Sequence, residues 1–438
     1  MLVLVTAGLV AANLFACAAT PDPLASTQEA VPSASSNTDA SVAGMPTLPS
    51  APELADPDAR FERWKRAFAT RMLARYDVPG FDADGVRGLL DGLAFQPQLL
   101  ERDSNQPEFT RPVWSYLDSA VAASRVRPGE ENLSIYRDLF DRIEARYGVD
   151  REVLTAIWGL ESQYGGNMGD APVPSALATF AFEGRRAAMF TAQLEALVQL
   201  VAEGRLDPDG LVGAWAGAMG QTQFMPQTLR DYGVDFDGDG RLDLRGSEAD
   251  ALGSAAHYLA RSGWVPERPA LVEVALPRDF DYALADGTTR RSVADWTARG
   301  VRAVPKSGAA ALSALGADEA KLLVPAGHRG PAFLAFKNFD VIKRYNNSTA
   351  YAMGISGLAD TFRGLEPVVR PWPRKDEALS RSDKEAMQRR LTELGYDTQG
   401  VDGVIGPATR QAIRAWQSAN GHVADGYVEK GLLAEILG

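Results

Sequence analysis

The chain has 438 residues, 45% hydrophobic and 23% charged. That composition is globular and long enough for two or three domains. A net charge of −12 argues against a nucleic-acid partner, which needs clustered Lys and Arg, and against attachment to anionic lipid by charge alone. The histidines, His257, His328 and His422, are far apart and fit no HExxH-type spacing, so a zinc hydrolase or a Ser-His-Asp enzyme has little support.

The only cysteine, Cys17, excludes an intrachain disulfide and sits at the end of an apolar run, residues 1–19, broken only by Thr6 and Asn13. The run reads as a secretory h-region. Leu14-Phe15-Ala16-Cys17 resembles a bacterial lipobox, in which the cysteine is lipidated after cleavage. Phe15 is bulky for that pattern and no basic residue precedes the run, so ordinary cleavage and an uncleaved anchor stay open. With Ala18 after the cysteine, resemblance to Gram-negative lipoproteins implies outer-membrane sorting. Residues 20–56, rich in Ala, Pro, Ser and Thr, bury too little apolar surface to fold and read as a flexible tether.

Helical periodicity begins with Phe61, Trp64, Phe68 and Met72. It continues over Leu133 to Tyr147, Val153 to Leu160 and Phe190 to Val201. From 267 to 336 the texture changes. Leu271 to Leu276 alternates like a strand, with Lys321 to Val324 and Ala332 to Phe336 as pairing candidates. Helix returns at Asp340 to Ile342 and Tyr351 to Phe362. Pro367, Pro371 and Pro373 mark a linker over 367–377. The expected class is mainly α (α+β): a helical catalytic core at 57–366 with a small β insertion, then a small helical bundle at 378–438.

Three segments carry candidate chemistry. In Ala156-Ile157-Trp158-Gly159-Leu160-Glu161-Ser162-Gln163-Tyr164-Gly165, one Glu closes an apolar helix. Burial there would raise its pKa, as a glycosidase acid requires, although a lone Glu at a helix end is commonly a solvated cap. Ser162 beside it is a candidate substrate contact. In Gly217-Ala218-Met219-Gly220-Gln221-Thr222-Gln223-Phe224-Met225-Pro226, Gln223 can bond a sugar N-acetyl group and Phe224 can line a groove. The plain alternative is a helix-connecting loop. In Arg344-Tyr345-Asn346-Asn347-Ser348 and the following Tyr351-Ala352-Met353, Tyr345 and Asn346 are candidates for the bond to be cut, against a capping and packing role.

In order and spacing these segments resemble the lytic murein transglycosylases of the MltB type, over residues 57 to 365. Gln106-Pro107-Glu108-Phe109, Trp114-Ser115-Tyr116-Leu117-Asp118 and Phe182-Glu183-Gly184-Arg185-Arg186 add to the likeness. The resemblance implies a lysozyme-like core with Glu161 as catalytic acid. It also implies cleavage of the MurNAc–GlcNAc β-1,4 bond of peptidoglycan to a 1,6-anhydro-MurNAc end, with no cofactor for the chemistry. Tyr116 and Tyr258 are further groove candidates. One carboxyl can suffice because the attacking C6 hydroxyl is tethered in the substrate, whereas a hydrolase needs a second carboxylate. A hydrolysing muramidase on the same scaffold and a non-catalytic wall-binding lipoprotein are the competing readings. The periplasm is the expected location and a monomer the default.

Val234 to Leu244 has the rhythm of an EF-hand. Asp235, Asp237 and Asp239 fall at positions 1, 3 and 5, the Arg241 carbonyl at 7 and Asp243 at 9. Gly246 stands where a bidentate Glu belongs, so Asp250 or Glu248 would close a longer loop. A structural Ca²⁺ site is expected, with a weak polar turn as the alternative. Over 378–438, Met387 to Leu391, Gly400 to Thr409, Ala412 to Gln417 and Asp425-Gly426 resemble the peptidoglycan-binding domain of wall hydrolases, which would hold substrate nearby.

Overall fold

The computed structural model describes residues 56–104, 111–305 and 312–438. The Cys17 segment, the tether and Gln106 to Phe109 lie outside them. The described residues form seventeen α-helices and two small antiparallel sheets, of two and five strands, in agreement with the expected class. The chain folds as two compact units, one built from 56–104 and 168–254, the other from 111–167 and 255–438.

In the first unit the helix Pro57–Tyr76 starts at Asp56, whose side chain caps Asp58 N. It buries Phe61, Trp64, Phe68 and Met72, the residues of the sequence stripe. Phe61 stacks on Trp64 and Trp64 on Phe68, with Phe95 and Phe182 edge-on to each other. Helices Val173–Glu183 and Ala187–Ala202 pack on this aromatic core.

In the second unit the stretch 133–147 is not one helix. Ala123–Ile135 ends at Tyr136, where ψ turns to 24°, and Arg137–Tyr147 restarts there. Helix Arg151–Ser162 is buried on nearly every side. The sheet has the order 291–292, 319–323, 332–335, 271–275, 302–303. Strand Leu271–Ala275 therefore pairs with 332–335, while 321–323 pairs on the far side of that strand. Val272, Glu273 and Val274 are all buried. Glu273 can sit inside because its two oxygens accept the N–H groups of Val369 (2.6 Å) and Arg370 (2.9 Å). Burial still pushes its pKa up, against those two bonds.

That contact ties down the proline-rich segment. Trp372 packs between Trp114 and Phe333, and Arg374 forks onto Asp118. The final helices, Arg381–Glu393, Pro407–Ala419 and Lys430–Leu437, enclose Met387, Leu391, Ile413, Trp416 and Ile436. Two buried glutamines each clasp an Asp-Gly turn. Gln388 bonds both sides of Asp402-Gly403, and Gln417 does so at Asp425-Gly426. The Asp-Gly pairs singled out in the sequence are thus fold-defining, since a buried amide needs every partner it can find.

Candidate active site

Helix Arg151–Ser162 delivers Glu161 at its last turn, where the residue is 5% exposed. The Tyr351 hydroxyl donates to its Oε1 at 2.7 Å across 190 residues of sequence. Tyr351 is wholly buried, and its pKa is pushed well above the usual value by burial first and then by the charge of Glu161. It is held as a neutral donor at any physiological pH. Local sequence aims it. Asn346 Oδ1 accepts from Ser348 N, and Ser348 Oγ caps Tyr351 N at the start of helix Thr349–Phe362.

Tyr116, on helix Val113–Ala120, shares this environment. Its pKa is raised by burial and by the charge of Glu161, and lowered by Arg125. Tyr258 donates to the Arg344 carbonyl at 2.7 Å and stands edge-on to Tyr345, with ring centroids 5.4 Å apart. Asn346 is buried, closing helix Lys337–Tyr345. The structure thus brings Glu161, Tyr116 and Tyr351 together and fixes Tyr258, Tyr345 and Asn346 around the approach to the Thr349–Phe362 helix.

Ser162 is fully buried. Its Oγ accepts from Gly165 N and reaches the Trp158 carbonyl, which gives the candidate substrate contact a helix-ending role. The two residues after it, Gln163 and Tyr164, both have positive φ, 53° and 59°. Side chains other than glycine pay of order 1–3 kcal/mol for such backbone, which persists only when its surroundings impose it. Here the Tyr164 hydroxyl donates to the Arg125 carbonyl at 2.8 Å. It fits because Gly129 and Gly159 have no Cβ: one added at either would lie 2.5 Å from that oxygen. The Arg125 guanidinium in turn bonds the carbonyls of Gly159 and Ala120, each at 3.1 Å. Burial pushes its pKa down, and no carboxylate opposes that. Tyr351, Arg125 and Tyr164 did not emerge as site residues from the sequence. The one available signal was the Asn-Asn-Ser cap, which places Tyr351 at a helix start.

The first unit carries the Gly217–Pro226 segment. Met219 and Phe224 exchange both backbone bonds, making a tight turn with Gln223 at φ 52°. The Gln223 amide nitrogen bonds the carbonyls of Gly220 (2.9 Å) and Met168 (3.3 Å), which leaves its Oε1 as the acceptor. Phe224 is 2% exposed. The expected groove-lining ring is therefore core packing beneath the turn. The loop after Val234 supports the same turn, since Gln221 N donates to the Leu244 carbonyl at 2.8 Å.

In that loop Asp235, Asp237 and Asp250 each place a carboxylate oxygen within 4.8 Å of the others. Asp250, 1% exposed, closes the longer loop in preference to Glu248, and it accepts from Phe236 N and Asp243 N. Asp239 and Asp243 are not in the cluster. Their carboxylates cap backbone amides, Asp239 at Arg241 and Asp243 at Arg245 and Gly246. Three oxygen donors of this kind suit a hard cation such as Ca²⁺.

Comparison with known proteins places the chain in a family. The model of the transglycosylase SLT domain family matches residues 60–360, and that of the putative peptidoglycan binding domain matches 380–436. The membrane-bound lytic murein transglycosylase B of Escherichia coli is 30% identical over 303 residues, covering 66% of this chain and 79% of that protein. The structure of SltB3 from Pseudomonas aeruginosa with NAG-anhNAM-pentapeptide superposes with a TM-score of 0.81 at 46% identity, over 86% of this chain and 99% of that one. The Escherichia coli lytic transglycosylase Slt35 in complex with calcium gives 0.56 at 29% identity, over 68% and 92%. The fold and site define a lysozyme-like enzyme of the bacterial cell wall. More narrowly, the chain belongs to the SLT family of lytic transglycosylases, homologous to MltB and SltB3, which act on peptidoglycan.

Proposed function

We propose that Glu161 alone serves as acid and then as base in cleaving the MurNAc–GlcNAc β-1,4 bond. The protonated carboxyl donates to the leaving O4. The resulting carboxylate takes the proton of the C6 hydroxyl as O6 closes on C1, so a 1,6-anhydro end forms and no water is consumed. The observation that carries this reading is the buried Glu161, its carboxyl held by the Tyr351 hydroxyl at 2.7 Å. Tethering the nucleophile replaces the water that a two-carboxylate glycosidase must activate. Tyr116, Tyr258, Tyr345 and Asn346 orient sugar, and the Gln223 Oε1 accepts an acetamido N–H. Ser162 and Phe224 act by holding the two substrate segments in shape.

The loop 235–250 binds Ca²⁺ through Asp235, Asp237 and Asp250, a reading supported by their spacing and by the calcium complex of Slt35. The domain plan is catalytic over 57–366, with a wall-binding module over 378–438 that works as a monomer in the periplasm. The lipobox-like Leu14 to Cys17 supports a lipid anchor at Cys17 on the outer membrane. Mass spectrometry of muropeptides released from purified sacculi tests the chemistry. Anhydro ends, one water lighter than reducing ends, are expected, and Glu161→Gln should release neither. Reducing ends from the wild type would replace this reading with a hydrolysing muramidase.

A further inference from the structure

The module's surface cations are paired in most places: Arg381 with Glu385, Arg390 with Glu393, Lys430 with Asp383. Arg410 and Arg414 stand apart from these, as half-buried cations without an ion pair. They stand one turn apart on the same face of helix Pro407–Ala419, both half-buried. Arg414 gives one bond, from Nη2 to the Ala285 carbonyl at 2.7 Å, and its Nε is buried without a partner. Among the described residues Arg410 makes no side-chain hydrogen bond and no ion pair.

The nearby acids are already engaged. Asp425 accepts from His328 N, His328 Nδ1, Gln417 Nε2 and Tyr427 N, which uses up its two oxygens. Asp286 accepts from the Thr288 and Thr289 amides and the Thr289 hydroxyl. Burial pushes both guanidiniums down from the usual arginine value, at Arg410 with the charge of Arg414 adding to it, and the charges of Asp425 and, at Arg414, Asp286 offset only part of this. Two like charges withdrawn from water are costly when the neighbouring acids, Asp425 and Asp286, make no direct ion pair with them. The arrangement is satisfied if the counter-ion arrives with a ligand, and a planar carboxylate matches the guanidinium fork.

We propose that Arg410 and Arg414 form a carboxylate-binding site through which the module grips the peptide stem of peptidoglycan. This rests on the reading that the module engages peptidoglycan. The stem is the part of the polymer rich in free carboxylates, and two guanidiniums a turn apart can bridge one of them or hold two in succession. Recognition would then report whether a strand still carries peptide, independently of the sugars held near Glu161.

The test titrates the full chain with a free tetrapeptide stem and with the same peptide after amidation of its carboxylates. Sacculus pelleting runs alongside. The free acid should bind and the amidated peptide should bind at least about tenfold more weakly, which one charged bidentate contact supplies. Arg410→Gln should lose that preference, and Arg410→Lys, which keeps charge but not the fork, should retain part of it. Affinity should fall with salt, as an ion pair requires. Equal binding of both peptides by the wild type, binding of neither, or an Arg410→Gln chain that binds as the wild type does would each overturn the proposal. Failure of the wild type to sediment with sacculi would instead remove the wall-binding reading beneath it.

Discussion

Glu161 and the aspartates of residues 235–250 put carboxyl groups into opposite settings. Glu161 is 5% exposed, and the Tyr351 hydroxyl that donates to it comes from 190 residues away. In the loop, Asp235 binds the amides of Gly238 and Gly240, Asp237 that of Asp239, and Asp239 that of Arg241. Every one of those partners is within a few residues, and Asp235 and Asp237 remain exposed. Chemistry at a buried carboxyl needs an environment that only distant chain segments can build. A loop that gathers carboxylates around a cation can be assembled almost wholly from its own backbone.

The comparison breaks first at Glu161. Replacing it with Gln should cost at least the roughly 10²–10⁴ in kcat that general acid–base catalysis supplies, because one group does both halves. Sacculus binding should be unchanged, and near-normal turnover would end the assignment. Tyr351→Phe is the sharper test of the long-range link. It removes one buried hydrogen bond to a carboxyl, so kcat should fall about tenfold, as roughly 1.5 kcal/mol implies, with little change in KM. A wild-type kcat there would mean that Tyr351 only fills space.

The loop answers to a different measurement. Saturating Ca²⁺ at about a hundred times its Kd adds roughly 3 kcal/mol to a site that binds only the native state, which should raise Tm by several degrees. Asp250→Asn should abolish most of that rise while leaving kcat within about twofold. Burial raises the Asp250 pKa, and Asp237 adds to it against the amides of Asp243 and Phe236. Its own contribution to stability is therefore fullest below the usual Asp value and is lost as pH rises through the folded one. Calcium needs the ionised form, so the calcium-induced rise in Tm should grow with pH over that window. A calcium effect independent of pH would place the ion elsewhere.

The smallest effect lies at Asp360, on the helix that carries Tyr351. Burial raises its pKa to about 6 in spite of Arg363. The stability it contributes is present below the usual Asp value and lost as pH rises through about 6. Asp360→Asn should remove that loss, stabilising the protein at neutral pH by on the order of 1–2 kcal/mol. Thermal melts across that range check it, and a destabilised variant would show that the Arg363 pair outweighs the burial cost.

Much of this was legible in one dimension. Phe61, Trp64, Phe68 and Met72 declare a helix and its buried face, because period and packing coincide there. The Asp-Gly turns of the module and the DxDGDG loop are legible because their partners are close in sequence. What failed did so at particular residues. Tyr136 ends one helix and opens another with no Pro or Gly to mark the break. Glu273 looks misplaced in a buried strand until Val369 and Arg370 supply its two N–H groups. Phe224 and Ser162 were read by motif as contacts, but packing under a turn and capping a helix are what the geometry gives them.

By itself the sequence determined the mainly helical class, the position of Glu161 at a helix end, the aspartate loop and the separate terminal module, since each depends on periodicity, turn chemistry or motif order along the chain. Only the tertiary structure decided that Tyr351 meets Glu161, that Asp250 closes the loop, that the proline-rich segment is pinned by Glu273, and that Arg410 is left without an ion pair. Those outcomes depend on which groups lose water together, and the loss of water is settled by packing between segments far apart in sequence.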